Sequence, residues 1–389
     1  MRYLLLWLLL GAFPAFAQSV APPIIVGAAL PQTGILADIG ADLRKSLLLW
    51  QEEVNAAGGM LGRKVELQLL DDASSAVAAG ALYEKLITEH KSDLLIGPLG
   101  SASSLGAAAA AERSRRVMIN ATGAARAVHR AEFRYVFQTA TPLSAYGASV
   151  LQLARELGMK RVALHARDDP GSRELAIRAR EDALAAGLAA GEVEIHQRGN
   201  ADFAPQVARA RSNGTEAWIA FGLPADAAEM VKNFRRLGYA PRLFVAQGAS
   251  DPEFIKRVGQ DAEFAVGVTA YERRAATRGN AQFVQAYSRR WSAEPGVLAA
   301  EGYAAGKVLE EAVKRAGSLD QGRLREVLAE METETPLGPF KAERSGAQAA
   351  ARPLLVQILR GRREIVWPEA LATAKLQPFP AWDARKPLK

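Results

Sequence analysis

Two segments carry residues that could do chemistry together. Gly97-Pro98-Leu99-Gly100-Ser101-Ala102-Ser103-Ser104 and Asn120-Ala121-Thr122-Gly123-Ala124 are built from small and hydroxylated residues, with no acid or base beside them. Where a strand feeds a helix, such turns present backbone N–H groups and hydroxyls at a helix N-terminus. That arrangement suits a carboxylate or another small anion. Covalent chemistry fits less well. Gly97-Pro98-Leu99-Gly100 is not a G-x-G-x-x-G fingerprint, and no phosphate loop ending in Gly-Lys-Ser/Thr occurs. Ser101 and Ser103 lie outside a G-x-S-x-G elbow, and no His or Lys shares their turn to act as base. Helix capping is the plain alternative for both serines. Asp71-Asp72 could be a catalytic pair, but neighbours on a strand point to opposite faces, so solvation at a strand end accounts for them better. Trp50, Trp218 and Trp291 fit core positions rather than a stacking box.

Composition closes further classes. There is no cysteine, which removes disulfides, Cys-type zinc sites, iron–sulfur clusters and thiol nucleophiles. His90, His129, His165 and His196 are far apart and form no HxxxH or HxH pair, so no metal or other cofactor is expected. The 49 Lys+Arg against 42 Asp+Glu give 49 − 42 = +7. Acids and bases alternate, however, and the basic spots are short, as in Arg113-Ser114-Arg115-Arg116 and Arg360-Gly361-Arg362-Arg363. None is interleaved with aromatics, so a solvated Arg-rich surface is expected and nucleic acid is not.

The elements that must hold these turns begin after a leader. Met1-Arg2 is a short positive region, Tyr3 to Phe13 an apolar run too short to span a bilayer, and Ala15-Phe16-Ala17 a small-x-small cleavage site. Cleavage after Ala17 would leave a 389 − 17 = 372-residue exported protein, with no cysteine for a lipid anchor. Ile24 to Leu30 then reads as a strand buried on both faces. Leu43, Leu47, Trp50 and Val54 have helical spacing, and the helix stops at Ala57-Gly58-Gly59. Strands follow at Val65–Leu70, Leu94–Ile96 and Val117–Ile119, with helices at Ser75–His90 and Ser103–Ser114. This alternation predicts parallel pairing with right-handed crossovers. It restarts after Pro142, with helix Leu143–Leu157 and strand Arg161–His165. Helices are then expected at Ser172–Ala186, Ala204–Asn213 and Ala225–Leu237, and strands at Val193–Ile195, Ala217–Phe221 and Leu243–Ala246. Three helical stretches (Ala281–Trp291, Leu298–Ala316 and Gln321–Met331) precede a strand at Leu354–Leu359. The Pro- and Lys-rich residues from Pro368 are expected to run over the surface. A chain this long exceeds the roughly 250–300 residues at which one core stops growing, so two domains are expected.

Several segments carry a resemblance. They are Gly27-Ala28-Ala29-Leu30-Pro31-Gln32-Thr33-Gly34, Glu53-Val54-Asn55-Ala56-Ala57-Gly58-Gly59-Met60-Leu61-Gly62-Arg63-Lys64, Leu70-Asp71-Asp72-Ala73-Ser74 and Leu95-Ile96-Gly97-Pro98-Leu99. Tyr135-Val136-Phe137-Gln138-Thr139, Leu337-Gly338-Pro339-Phe340 and Arg352-Pro353-Leu354-Leu355-Val356-Gln357 continue it. Through them residues 24–360 resemble the Leu/Ile/Val-binding family of type I periplasmic solute-binding proteins of ABC importers. The resemblance implies a bilobate α/β clamp, two doubly wound Rossmann-like lobes joined by three hinge crossings. The lobes would comprise 22–140 plus 270–338 and 141–269 plus 339–367, with 368–389 as a surface tail. It further implies a monomeric periplasmic protein, not an enzyme, that takes a small ligand and passes it to ABC permease subunits.

In that family a serine after the third strand and a turn after the fourth hold the ligand's α-carboxylate. The positions here are Gly100 and Ser101, then Thr122, Gly123 and Ala124. The family's threonine falls on Ala124, and Thr122 is expected to substitute. The acid that receives an α-ammonium is replaced by Gln247, and the family's aromatic in the Gly222-Leu223 turn by Leu223. The Asp-x-Tyr-Gly turn reads Asp168-Asp169-Pro170-Gly171, without its tyrosine. Asp168, Asp169 and Asp226 remain as other sources of an acid. An unpaired ammonium in a closed cleft costs several kcal/mol, so a keto, aromatic or fatty acid is expected ahead of an amino acid. Family members can bridge the turns after the second and third strands with a disulfide; here those places hold Ser74 and Gly100. Two other classes stay open: a sensor of the same fold feeding a receptor or kinase, and an exported hydrolase using Ser101 or an Asp pair.

Overall fold

The structure, a computed structural model, describes residues 21–129 and 132–385; the leader expected over residues 1–17 lies outside them. β1 (Ile24–Leu30) is buried almost throughout, as its uninterrupted apolar run requires. Helix α1 (Ala37–Ala56) buries Leu43, Leu47, Trp50 and Val54 on one face. β2 (Val65–Asp71), α2 (Ala79–Thr88), β3 (Leu94–Ile96), α3 (Ser101–Arg113), β4 (Met118–Asn120) and β5 (Val136–Gln138) complete a parallel sheet. Its order is β2-β1-β3-β4-β5, so the strand order reverses between β1 and β3. Ligand crevices of open α/β sheets lie beyond the carboxyl ends of strands at such a reversal.

The second half repeats the plan with α4 (Leu143–Glu156), β6 (Arg161–Arg167), α5 (Pro170–Ala185), β7 (Ala189–Ala190), β8 (Glu194–His196), α6 (Ala204–Ser212) and β9 (Ala217–Phe221). α7 (Pro224–Leu237), β10 (Leu243–Ala246), α8 (Pro252–Val258) and β11 (Val266–Thr269) follow. The chain then returns to the first unit with α9 (Asn280–Trp291), α10 (Val297–Ala316), α11 (Gln321–Glu330) and the hairpin β12 (Glu332–Thr335)–β13 (Gly338–Lys341). It ends in the second sheet, where β14 (Leu354–Leu359) and β15 (Arg362–Trp367) add antiparallel strands beside β11. That sheet has the order β15-β14-β11-β10-β9-β6-β7, with β8 also on β6. One core joins residues between Ile24 and Phe137 to residues between Tyr271 and Ala342. Two others flank the second sheet. The chain therefore passes between the units three times, after β5, β11 and β13. The architecture is the bilobate α/β fold that the alternation and the resemblance led one to expect.

Two expectations need correction. Phe340 and Ala342, assigned above to the second lobe, pack into the first core, because the β12–β13 hairpin keeps that stretch paired before it crosses. The segment after Pro368 is more than a surface tail. Phe379 is buried, edge-on to Phe244 with ring centroids 5.8 Å apart, and Trp382 Nε1 donates to the Tyr239 carbonyl at 2.8 Å. An aromatic face left open on the outside of the second sheet draws the segment in, and Arg385 lies 3.7 Å over the Trp382 ring.

Candidate functional site

The turns after β3 and β4 meet at the carboxyl edge of the first sheet. Gly100, at φ 82° and ψ 162°, turns the chain into α3 in a conformation that side-chain-bearing residues resist. Its N–H donates to the Thr122 hydroxyl at 2.7 Å, and that hydroxyl donates to the Pro98 carbonyl at 2.8 Å. Thr122 therefore has no hydrogen left for a ligand carboxylate. It braces the two turns, a different task from the direct contact expected of it.

Ser101 opens α3, two residues earlier than the sequence suggested, and its side chain makes no cap bond to its own helix. Its Oγ accepts the Ala125 N–H at 3.0 Å, and among the described residues no group takes its hydrogen. That leaves the Ser101 hydroxyl a free donor with no base to activate it. The first-turn N–H groups of α3, from Ser101 to Ser103, have no helical acceptor. The Ala124 N–H has no acceptor among the described residues either. The Ser101–Ala125 bond sets the turn after β4 beside these donors, with the positive end of the helix behind them.

The Asn120–Ala124 turn is held rigidly. The Asn120 amide donates to the Gly123 carbonyl at 2.7 Å and accepts the Gly123 N–H at 2.8 Å. Gln138 Nε2 adds a third bond to Gly123 at 3.0 Å. A Cβ at Gly123 would come within 2.6 Å of Asn120 Oδ1 and 2.7 Å of Ser104 Oγ, so only glycine fits. His129 Nε2 lies 2.9 Å from the Asn120 amide nitrogen. Burial lowers the imidazole to about 4, so it accepts as a neutral ring.

Asp71 and Asp72 serve as turn ties, not a catalytic pair. Asp71 accepts from the N–H groups of Gln32, Thr33 and Ala73 and from the Thr33 hydroxyl, fastening the turn after β1 to that after β2. The Thr33 hydroxyl, with these amides, lowers its carboxyl to about 2. Asp72 is buried and caps Ser74 N–H; burial raises its carboxyl.

The second lobe answers with a different chemistry. Asp169 caps α5 through Ser172 N–H at 2.9 Å, and Asp168 accepts from Arg173 Nε at 2.7 Å and Gln197 Nε2 at 2.9 Å. Asp226 is buried and accepts the Leu223 N–H at 2.8 Å, with Arg167 Nη1 at 3.5 Å and His196 Nε2 at 3.7 Å. Burial alone would raise its carboxyl, but His196, the Leu223 amide and Arg167 hold it below the ordinary range. All three acids expected as alternative ammonium receptors are thus engaged. Leu223 is half exposed, and the Gln247 side chain makes no hydrogen bond among the described residues. Arg167, at the carboxyl end of β6, was missed by sequence reasoning. It lies at 3.5–3.6 Å from Asp226 and Asp169, so this wall carries a loosely held cation. Its one sequence signal was a charge at the carboxyl end of that strand.

Among the described residues no group of acids and histidines could hold a metal, and no helix is long and apolar enough to cross a membrane. An amino acid binding protein of Pseudomonas aeruginosa is 25% identical over 245 residues, covering 60% of this chain and 66% of that protein, just under two thirds of its length. The leucine-, isoleucine-, valine-, threonine- and alanine-binding protein of the same organism is 22% identical over 341 residues, 87% of this chain and 90% of that one. A solute binding protein of an ABC transporter from Rhodopseudomonas palustris BisB5, solved with 3,4-dihydroxybenzoic acid, superposes with a TM-score of 0.71 at 23% identity, covering 88% and 95%. Residues 23–362 match the family model described as periplasmic binding protein. With its two α/β lobes and that match over most of its length, this chain belongs to the periplasmic binding protein family.

Proposed function

We propose that the protein captures a small carboxylate-bearing solute between its lobes in the periplasm and delivers it to ABC permease subunits. One observation carries the reading: unpartnered donors stand at the start of α3, while every nearby acid of the facing wall is engaged. The ligand carboxylate sits on the Ser101 hydroxyl, the first N–H groups of α3 and the Ala124 N–H. Gly100, Thr122 and Gly123 hold those donors in place. The second lobe closes over the ligand with Leu223 and Gln247, and binding selects the closed state that the permease reads.

The absence of a free acid in the second lobe favours a carboxylate without an ammonium group: a keto, aromatic or fatty acid. The dihydroxybenzoate seen with the Rhodopseudomonas protein supplies a probe of that class. A thermal-shift panel of 3,4-dihydroxybenzoate, benzoate, 2-oxo-3-methylbutanoate, octanoate, leucine and valine tests it. Stabilisation by at least one amine-free acid is expected. Strong stabilisation by leucine or valine, with none from the amine-free acids, overturns the ligand assignment.

A further inference from the structure

One buried carboxyl group has no task in the site described so far. Helix α10 runs alongside α1 in the same direction. A Cβ at Gly296 would lie 3.9 Å from Asp42, Gly302 packs on Leu43 and Ser46, and Gly306 on the Trp50 ring. Because α1 begins just beyond β1, the first turns of α10 lie at the same carboxyl edge that carries Ser101. Glu301 is in those first turns and is only 7% exposed, between the fully buried Ala300 and the buried Gly302. Among the described residues its carboxyl makes no hydrogen bond or ion pair.

Tyr146 lies in the first turn of α4, the first helix of the second lobe. Burial, and next to it the Glu301 carboxylate, pushes the Tyr146 phenol above its ordinary range. Several charged groups on the elements around α10 have other partners. Asp42 accepts from Tyr287 at 3.1 Å, Glu53 from Tyr303, and Glu332 at the far end pairs with Lys341. Burial alone raises Glu301 to about 8, so near pH 7 it is a neutral acid able both to donate and to accept.

We propose that Glu301 is a specificity-determining ligand contact. Its carboxyl, with the Tyr146 hydroxyl from the opposite lobe, holds a hydroxyl or keto oxygen of the bound acid, and the substrate class is a hydroxy- or keto-substituted carboxylate. The inference rests on the carboxylate reading above. An ionised Glu301 would repel a carboxylate in the same crevice, so affinity is full while the group is protonated and falls as pH rises through its pKa.

Calorimetric titration of the whole protein with two matched pairs, benzoate against 3,4-dihydroxybenzoate and 3-methylbutanoate against 2-oxo-3-methylbutanoate, tests the contact. The oxygenated member of at least one pair binds about tenfold more tightly, the worth of one or two hydrogen bonds. Glu301→Leu erases that preference, whereas Glu301→Gln keeps most of it and flattens the pH profile between pH 6 and 9.5. A preference that survives Glu301→Leu overturns the contact while leaving the carboxylate reading intact. Leucine binding that strengthens with rising pH in a Glu301-dependent way overturns both. Carboxyl-carbon NMR of the ligand-free protein needs no ligand: a glutamate resonance titrating near pH 8 and absent in Glu301→Gln is expected, and its absence overturns the proposal.

Discussion

Thr122→Val removes one oxygen and keeps the shape of the side chain. In the structure that oxygen accepts from Gly100 N–H and donates to Pro98 O. Each bond contributes about 1 kcal/mol net. The penalties on the two orphaned partners differ. Pro98 is buried, so its carbonyl loses its partner at a further cost of about 1–2 kcal/mol. Gly100 is partly exposed, and water can take its N–H. The expected loss is about 2–4 kcal/mol, or roughly 5–10 °C in the melting of the first lobe. Differential scanning calorimetry of Thr122→Val beside Thr122→Ser reads it directly. Serine keeps the hydroxyl and should cost less than about 1 kcal/mol. Valine within about 0.5 kcal/mol of the parent would mean that the hydroxyl does not brace the two turns, and the division of labour between Thr122 and Ser101 would fall with it.

Ser101→Ala should do the reverse, leaving stability within about 1 kcal/mol while weakening carboxylate binding by about 1–3 kcal/mol; an unchanged Kd in calorimetric titration refutes its role. Asp71→Asn is a pH experiment. The wild-type carboxyl is lowered to about 2, so its contribution is present above the ordinary carboxylate range near 3.8 and disappears as pH falls through 2. The melting difference between wild type and Asp71→Asn should therefore shrink from pH 5 to pH 2, and a constant difference contradicts the turn tie. Phe379→Ala should cost about 3 kcal/mol in the second lobe alone, since it empties a buried aromatic site. Two resolved unfolding transitions, with only one shifted, would show this, and an equal shift of both would not fit.

The long apolar strands and the amphipathic α1 were legible because period and burial agree there. Shorter elements were not. β5 and β11 have too few residues for any period to emerge, and β15 opens with Arg362-Arg363-Glu364 before its buried end. The hairpin β12–β13 joins the wholly polar Glu332-Thr333-Glu334-Thr335 to a strand opening with a Gly-Pro pair that reads as a loop. The placement of Ser101 at the head of a helix was legible to within two residues from the glycine before it. The role of Thr122 was not, because its two partners lie 22 and 24 residues away and only the fold brings them together. Glu301 was hidden in a helix otherwise rich in alanine and glycine. An acid there reads as solvated until the fold is seen to bury it.

The interleaving of the two lobes has a consequence for the order of synthesis. The first core draws on Phe283, Tyr287, Val308 and Leu309, and the second sheet on β14 and β15. Until those residues leave the ribosome, the inner face of α1 has no α10 to cover it and β11 stands as an open edge. The end of α10 follows that of α1 by 316 − 56 = 260 residues, which at about 5–20 residues per second is a wait of roughly 13–52 s. During that wait the nascent chain carries buried-type surface with nothing to bury it against. A translating chain of this design is kept unfolded by its own connectivity, and commits to both lobes almost at once when its last strands appear.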